Sequence, residues 1–330
     1  MKQPLFWYRP FENSWRDKLL APLGKLYASG TARRLSKTTG YRPKMPVICV
    51  GNINIGGTGK TPTAIALIQL LQGMGRKPAL LSRGYGGKLE GPVRIDPNGH
   101  FSSEVGDEPM LLAAFAPCIV AKDRAAGARF AETLDIDVLI LDDGFQNPSV
   151  AKDLSIVVVD AALGFGNGRV IPAGPLREPL HVGLIRADMV ISVGNSAAQE
   201  QFTKAWGHAV GVPRLEGELT VLQMGMDFSG LRCLAFAGIG HPEKFFETLK
   251  SQEVELIKTV ALADHQRLSE ALMRRLEFDA ATLGAQLITT EKDAVRLPSA
   301  FRQKVLTLPV RLEIKDATAL VEALKSAGID

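Results

Sequence analysis

The run Gly56-Gly57-Thr58-Gly59-Lys60-Thr61 constrains this chain most, because it follows the apolar Val47 to Val50 and opens a helical pattern reaching about Met74. Its glycines let successive backbone N–H groups converge on phosphate oxygens, and the helix start adds partial positive charge. Strand, glycine loop and Gly-Lys-Thr, in that order, make a phosphate-binding loop. Lys60 is then the group that reaches the β- and γ-phosphates of a nucleotide, and the Thr61 hydroxyl the one that reaches Mg²⁺. The first glycine of the usual pattern is replaced by Asn54. Asn tolerates left-handed backbone better than most residues, so Asn54 joins Gly56, Gly57, Thr58, Gly59, Lys60 and Thr61 as the expected ATP-binding set.

A second apolar run, Asp137 to Leu141, delivers Asp142-Asp143 to the carboxyl edge of the expected sheet, where ligands sit in open α/β folds. One of the two carboxylates is expected to complete a Mg²⁺ site with Thr61; spacing leaves open which. Strand patterns near Ala79 to Ser82, Cys118 to Ala121 and Asp188 to Val193 alternate with helical ones from Asp107 and from Asp123 to Leu134. Near-continuous apolar strands alternating with helices imply a doubly wound, mostly parallel α/β sheet of the P-loop NTPase type. Gly164 to Gly183 is rich in Gly and Pro and reads as a long functional loop. A fresh pattern from Leu231 predicts a second, smaller α/β domain: strand Cys233 to Ala237, helix Pro242 to Ser251, strand Val254 to Val260, helix from about Gln266 to Leu276, strand Gln286 to Thr289. The expected division is 1–44 as a leader, 45–216 as the P-loop domain, 217–230 as a linker and 231–330 as the smaller domain.

Charge is uneven along the 330 residues. Residues 1–44 hold ten Lys/Arg against Glu12 and Asp17, so the rest carries 29 basic and 33 acidic residues under a net charge of +4. Seven of the 21 aromatic residues also fall in the leader, which points to a polyanionic surface. A secretory signal is excluded, since Arg9, Glu12, Arg16, Asp17 and Lys18 interrupt any apolar core. A nucleic-acid arm lacks an accompanying module. Trp15, Leu19, Leu20, Leu23, Leu26 and Tyr27 recur at helical spacing with Arg16, Lys18 and Lys25 off the stripe, as in a membrane-docking interfacial helix. Pro22 and Gly24 predict a kink or break in it. The competing reading packs the stripe on the protein's own core. Apolar runs break within a few residues, so no bilayer span is expected. Cys49, Cys118 and Cys233 are odd in number and far apart, giving neither a disulfide framework nor zinc-ligand spacing.

A GTPase switch would place Asp three residues before Gly144, where Leu141 stands. The guanine selector fails too, because Lys292 and Asp293 are adjacent in Thr290-Glu291-Lys292-Asp293. Motifs or repeats of transport and motor ATPases are not found. A metabolic kinase or ligase remains, with a P-loop regulatory or metal-delivery ATPase as the alternative. Kinase chemistry needs a base; Asp107, before the apolar Met110 to Phe115, and His265, beside Asp264, are candidates that also read as helix caps.

In combination these segments resemble the tetraacyldisaccharide 4′-kinase family, the lipid A 4′-kinases of Gram-negative bacteria. Matching runs are Val50-Gly51-Asn52 with Gly56 to Pro62, Ser82-Arg83-Gly84-Tyr85-Gly86, Gly106-Asp107-Glu108-Pro109, Asp123-Arg124, Asp142-Asp143-Gly144-Phe145-Gln146, Gly174 to Pro179, Ala263-Asp264-His265 and Thr289 to Asp293. The resemblance implies ATP- and Mg²⁺-dependent phosphorylation of the 4′-hydroxyl of tetraacyldisaccharide 1-phosphate at the cytoplasmic face of the inner membrane. It also implies two α/β domains joined by a two-stranded linker with the site between them. Carried over by position, Asp107 is the base, His265 its partner from the second domain, and Lys60 the phosphate contact. Arg124, Gln146, Arg177 and Glu178 are implied as substrate or phosphate contacts, and Arg83 as structural.

Overall fold

The computed structural model describes residues 4–8, 15–36, 40–222 and 225–330. Lys2, Arg9, Phe11, Glu12 and Lys37 of the leader, and Met224, lie outside the described residues. Strands β1 (Val47–Gly51), β2 (Pro78–Ser82), β3 (Val93–Arg94), β4 (Cys118–Val120), β5 (Val138–Asp142), β6 (Leu154–Asp160), β7 (Met189–Val193) and β8 (Arg214–Val221) are joined by β13 (Val310–Ile314). Among the described residues they form a nine-stranded sheet, ordered β13-β8-β7-β6-β1-β5-β2-β4-β3. Its five central strands and β8 and β4 pair in parallel, while β3 and β13 pair antiparallel at the edges. The sheet works because its strands are apolar on both faces. Ile48, Val50, Ile140 and Val158 feed one core; Val47, Cys49, Leu139 and Val157 feed the other.

The phosphate loop leaves the central strand β1, and β5 lies beside it with Val50 opposite Asp142. The carboxylate pair therefore ends next to the loop without any side chain reaching for it. β6 is a fully buried strand, Leu154–Asp160, which the apolar run alone had not marked as an element.

A second sheet carries β9 (Arg232–Ala237), β10 (Glu255–Ala261), β11 (Gln286–Thr290) and β12 (Val305–Leu308), ordered β10-β9-β11-β12 and all parallel. Helices Pro242–Ser251 and Glu270–Leu283 cover its two faces. One expectation is corrected here. Residues 310–329 do not belong with this small body: β13 pairs with β8, and Leu320, Leu324 and Ile329 sit in the large core. The pattern of those residues is apolar and helical, which says that they pack but not against which sheet.

The leader carries a short 3-10 turn, Leu5–Tyr8, and a helix, Trp15–Ser36, that runs through Pro22 without a break. Pro22 and Lys18, whose carbonyl loses its partner, are both exposed, so water can serve that carbonyl. Its inward face is Asp17, Gly24 and Thr31, seven residues apart. At Gly24 a Cβ would lie 3.0 Å from the Val170 carbonyl oxygen, so glycine lets the helix lie directly on the Gly/Pro-rich loop. That loop is irregular up to Pro179 and then turns helical at Leu180–Ile185.

Candidate active site

Positive backbone φ falls on Gly56 (102°) and Gly59 (96°), not on Asn54. Asn54 is instead buried, pairs as a β-bridge with Leu176, and donates from Nδ2 to the Gly164 carbonyl at 2.9 Å. Its side chain anchors the phosphate loop to the Gly/Pro-rich loop and does not line the cradle. Asn52 does the internal work that sequence reasoning missed: its Nδ2 donates to Gly56 O at 3.3 Å and Thr58 Oγ1 at 3.2 Å. A Cβ on Gly57 would meet nothing within 4 Å, so the loop faces open space there. Lys60 and Thr61 open the helix Lys60–Gly73 as expected.

Lys60 Nζ stands 3.7 Å from Asp143 Oδ1, and Arg177 Nη1 donates to the same carboxylate at 3.1 and 3.3 Å. Burial pushes the Lys60 ammonium below its usual range although Asp143, Asp142 and Glu108 pull it up. Burial also acts to raise Asp143, but Lys60 and Arg177 outweigh it and hold that carboxyl low. Asp142 goes the other way: burial, then the charge of Asp143, hold it above the usual carboxylate range. Ser82 Oγ is its one side-chain donor among the described residues, at 3.0 Å from Oδ2. A buried, under-compensated carboxylate at the end of the strand beside the one that leads into the loop carrying Thr61 supplies hard oxygen of the kind that suits Mg²⁺ shared with phosphates. No cluster of three or more His, Cys, Asp or Glu among the described residues offers an all-protein metal cage.

Two expected substrate contacts are structural. Arg124 is 4% exposed, and its guanidinium donates to the carbonyls of Leu81 and Asp142 at 2.8 Å, tying two strand ends together. Glu178 is 1% exposed and bound by Arg186 at 2.5 Å, with Gln146 Nε2 at 3.0 Å. Gln146 Nε2 also donates to Asn52 O at 2.7 Å, and its Oε1 accepts from Arg177 Nη1 at 3.4 Å. In a motif, a charged residue that braces the loop looks the same as one that touches ligand. Arg177 stays half-exposed beside Asp143 and keeps the candidate role. Arg83, read as structural, is exposed.

Asp107 is the first residue of the helix Asp107–Leu112, with Gly106 in the cap position, and Asp264-His265 lies before a helix capped by Ser269. Neither pair is a cap. His265, at φ 58°, brings Nδ1 to 2.8 Å from Asp107 Oδ2 across the two bodies. Burial acts to raise the Asp107 carboxyl; the His265 hydrogen bond, Arg296 and Lys292 outweigh it and hold it below its usual range. Lys292 Nζ pairs with Glu108 Oε1 at 2.6 Å, and Arg296 Nε lies 3.3 Å from Asp107 Oδ2. Glu108 in turn acts on Lys60 and Asp142, so the Asp107 helix and the phosphate loop share one electrostatic neighbourhood. Lys292 belonged to a quoted motif; Arg296 carried no signal in the sequence.

The family model for tetraacyldisaccharide-1-P 4′-kinase matches residues 16–328. The tetraacyldisaccharide 4′-kinase of Dinoroseobacter shibae is 60% identical over 98% of this chain and 97% of its own length. That of a Jannaschia species is 58% identical, covering 96% of each. Among solved structures, an "apo" form of LpxK from Aquifex aeolicus in complex with ATP matches with a TM-score of 0.74 and 25% identity, over 94% of this chain and 99% of that one.

Proposed function

The chain belongs to the tetraacyldisaccharide-1-P 4′-kinase family, and from that premise we propose how its residues transfer the terminal phosphoryl group of ATP to the 4′-hydroxyl of tetraacyldisaccharide 1-phosphate in lipid A biosynthesis. The relatives support this reading and not a regulatory or metal-delivery ATPase. Gly56 to Gly59 hold the nucleotide phosphates through backbone N–H groups, and Lys60 binds the β- and γ-phosphates. Thr61 and Asp142 would hold Mg²⁺, with Asp143 fixing Lys60 and Arg177. When bound, that ion neutralises charge building on the phosphate oxygens.

Asp107 takes the proton of the 4′-hydroxyl as its oxygen bonds to the γ-phosphorus and the bridging oxygen leaves with ADP. His265 keeps the carboxylate in place. The observation that carries this is the 2.8 Å contact between Asp107 of the large body and His265 of the small one.

The leader helix supports docking on an anionic membrane, at the cytoplasmic face of the inner membrane. Trp15, Leu19, Leu23 and Leu26 are 69%, 67%, 53% and 72% exposed, on the side opposite Asp17, Gly24 and Thr31. The core-packing reading therefore loses its support. Lys18, Lys25 and Arg16 flank this ridge, each contributing about 1 kcal/mol at an anionic surface. Among the described residues no helix is long and apolar enough to cross a membrane.

Labelled ATP with the lipid disaccharide tests the reading. ATP turnover is expected to require the glycolipid, and Asp107→Ala to lower kcat by about 10²–10⁴-fold with KM for ATP little changed. Acceptor-independent hydrolysis, or a wild-type rate in the variant, overturns it.

A further inference from the structure

Thr290-Glu291-Lys292-Asp293 stands apart from the phosphate loop and the carboxylate pair, yet it holds the most firmly anchored charge of the small body. Asp293 is fully buried. Its carboxylate accepts from Gly238 N at 3.1 Å through both oxygens, and Oδ2 accepts from Thr290 Oγ1 at 2.6 Å. Arg296 donates from Nη2 to Asp293 Oδ1 at 2.8 Å and to Gly238 O at 3.1 Å, and is itself 4% exposed. The guanidinium is thus clamped on one side by its own body. Its Nε donates to the Lys292 carbonyl at 3.4 Å and also lies 3.3 Å from Asp107 Oδ2, an ion pair across the cleft.

We propose that Arg296 is a positioning residue for phosphoryl transfer: clamped by Asp293 and Gly238, it fixes Asp107 Oδ2 jointly with His265 and leaves Oδ1 to the acceptor hydroxyl. The inference rests on Asp107 being the base. A planar guanidinium suits this task, since its Nη2 holds the clamp while its Nε side, braced on Lys292 O, keeps a fixed positive charge against the carboxylate, and a lysine ammonium offers no such fork. Among the described residues, the charged groups facing Asp107 are Arg296 and Lys292 of the small body, His265 of the loop after β10, and Glu108 of its own helix. With Arg296 removed, burial acts on Asp107 with less opposition, so protonation should compete with catalysis at higher pH.

The test compares Arg296→Gln, Arg296→Lys and Asp107→Asn in the full-length enzyme with ATP and the lipid disaccharide. Arg296→Gln is expected to lower kcat by about 10–100-fold with KM for ATP within about twofold of wild type. The ratio of its kcat to that of wild type should fall further as the pH is lowered from about 8 to about 5. If Arg296→Gln does not fold, as judged by its melting curve, Arg296→Lys carries the test with the same pH-dependent ratio at smaller amplitude. A pH-independent ratio, or full kcat in the folded variant, overturns the proposal. If Asp107→Asn keeps wild-type kcat, the base assignment itself fails; if it loses turnover while the Arg296 variants do not, only the role of Arg296 fails.

Discussion

Asp142 and Asp143 share a strand end, yet only one of them is compensated. Asp143 turns at φ 49° into Lys60 and Arg177, while Asp142 stays in line with the strand and meets burial and a neighbouring negative charge. Linkage gives the two opposite signs. Asp142 has a raised folded-state pKa, so its cost to stability grows as pH rises from the ordinary carboxylate value towards the raised one. Asp107, Glu108 and Asp143 are held low, so their contribution is present above the ordinary value and is lost as pH falls through their depressed ones. Asp142→Asn is therefore expected to melt a few degrees higher than wild type at neutral pH without ligands, to lose that gain in acid, and to have no turnover. Calorimetry across pH checks it; a lower melting point at neutral pH counts against it. The sequence showed two adjacent carboxylates and could not separate them, because the difference lies in one backbone rotation. Arg124 and Glu178 were illegible for the same kind of reason: their partners are backbone carbonyls and Arg186, contacts that depend on where strands end.

Among the elements, the leader helix shows what periodicity can and cannot convey. The stripe of Trp15, Leu19, Leu23 and Leu26 was visible in the sequence, and so was its helical spacing. Which way it faced was not, because the face that packs inward is built from Asp17, Gly24 and Thr31, residues with little apolar signature. Exposed leucines on an anchored helix contribute little to folding and much to partition into lipid, about 1.5–3 kcal/mol each when fully buried. Replacing Leu19, Leu23 and Leu26 together by Glu is expected to weaken binding to anionic vesicles by more than about 100-fold. The melting temperature should hardly move. Vesicle sedimentation and a thermal melt decide it, and unchanged vesicle binding would remove the docking role. The glycines and Gly59-Lys60-Thr61 of the phosphate loop, by contrast, stood out in the sequence, since backbone N–H groups need only glycines in the right order, whereas the bracing by Asn52 and Asn54 did not.

For the molecule as a whole, the cleft is bridged by a small set of charged contacts: Asp107 with His265 and Arg296, Glu108 with Lys292, and Asp160 at the end of β6 with Lys244 at 2.6 Å. Each pairs a group of the large body with one of the small body, so together they favour the closed arrangement. The two lysine pairs, Lys244 with Asp160 and Lys292 with Glu108, are partly exposed, and such pairs are individually weak. The double variant Lys244→Ala, Lys292→Ala is expected to show a larger radius of gyration by small-angle scattering, with kcat several-fold lower and the melting curve nearly unchanged. An unaltered scattering profile would mean that the pairs do not hold the cleft. Two α/β bodies were readable from the alternation of strands and helices, but the return of β13 to the large sheet was not, since pairing partners leave no mark in a strand's own residues.

That return has a mechanical consequence. Val221 of β8 faces Val310 of β13, so the polypeptide leaves for the small body and comes back at the same place. A double strap of this sort lets the small body nod but never wander, and His265 finds Asp107 at an effective concentration on the order of millimolar or above, however dilute the enzyme is.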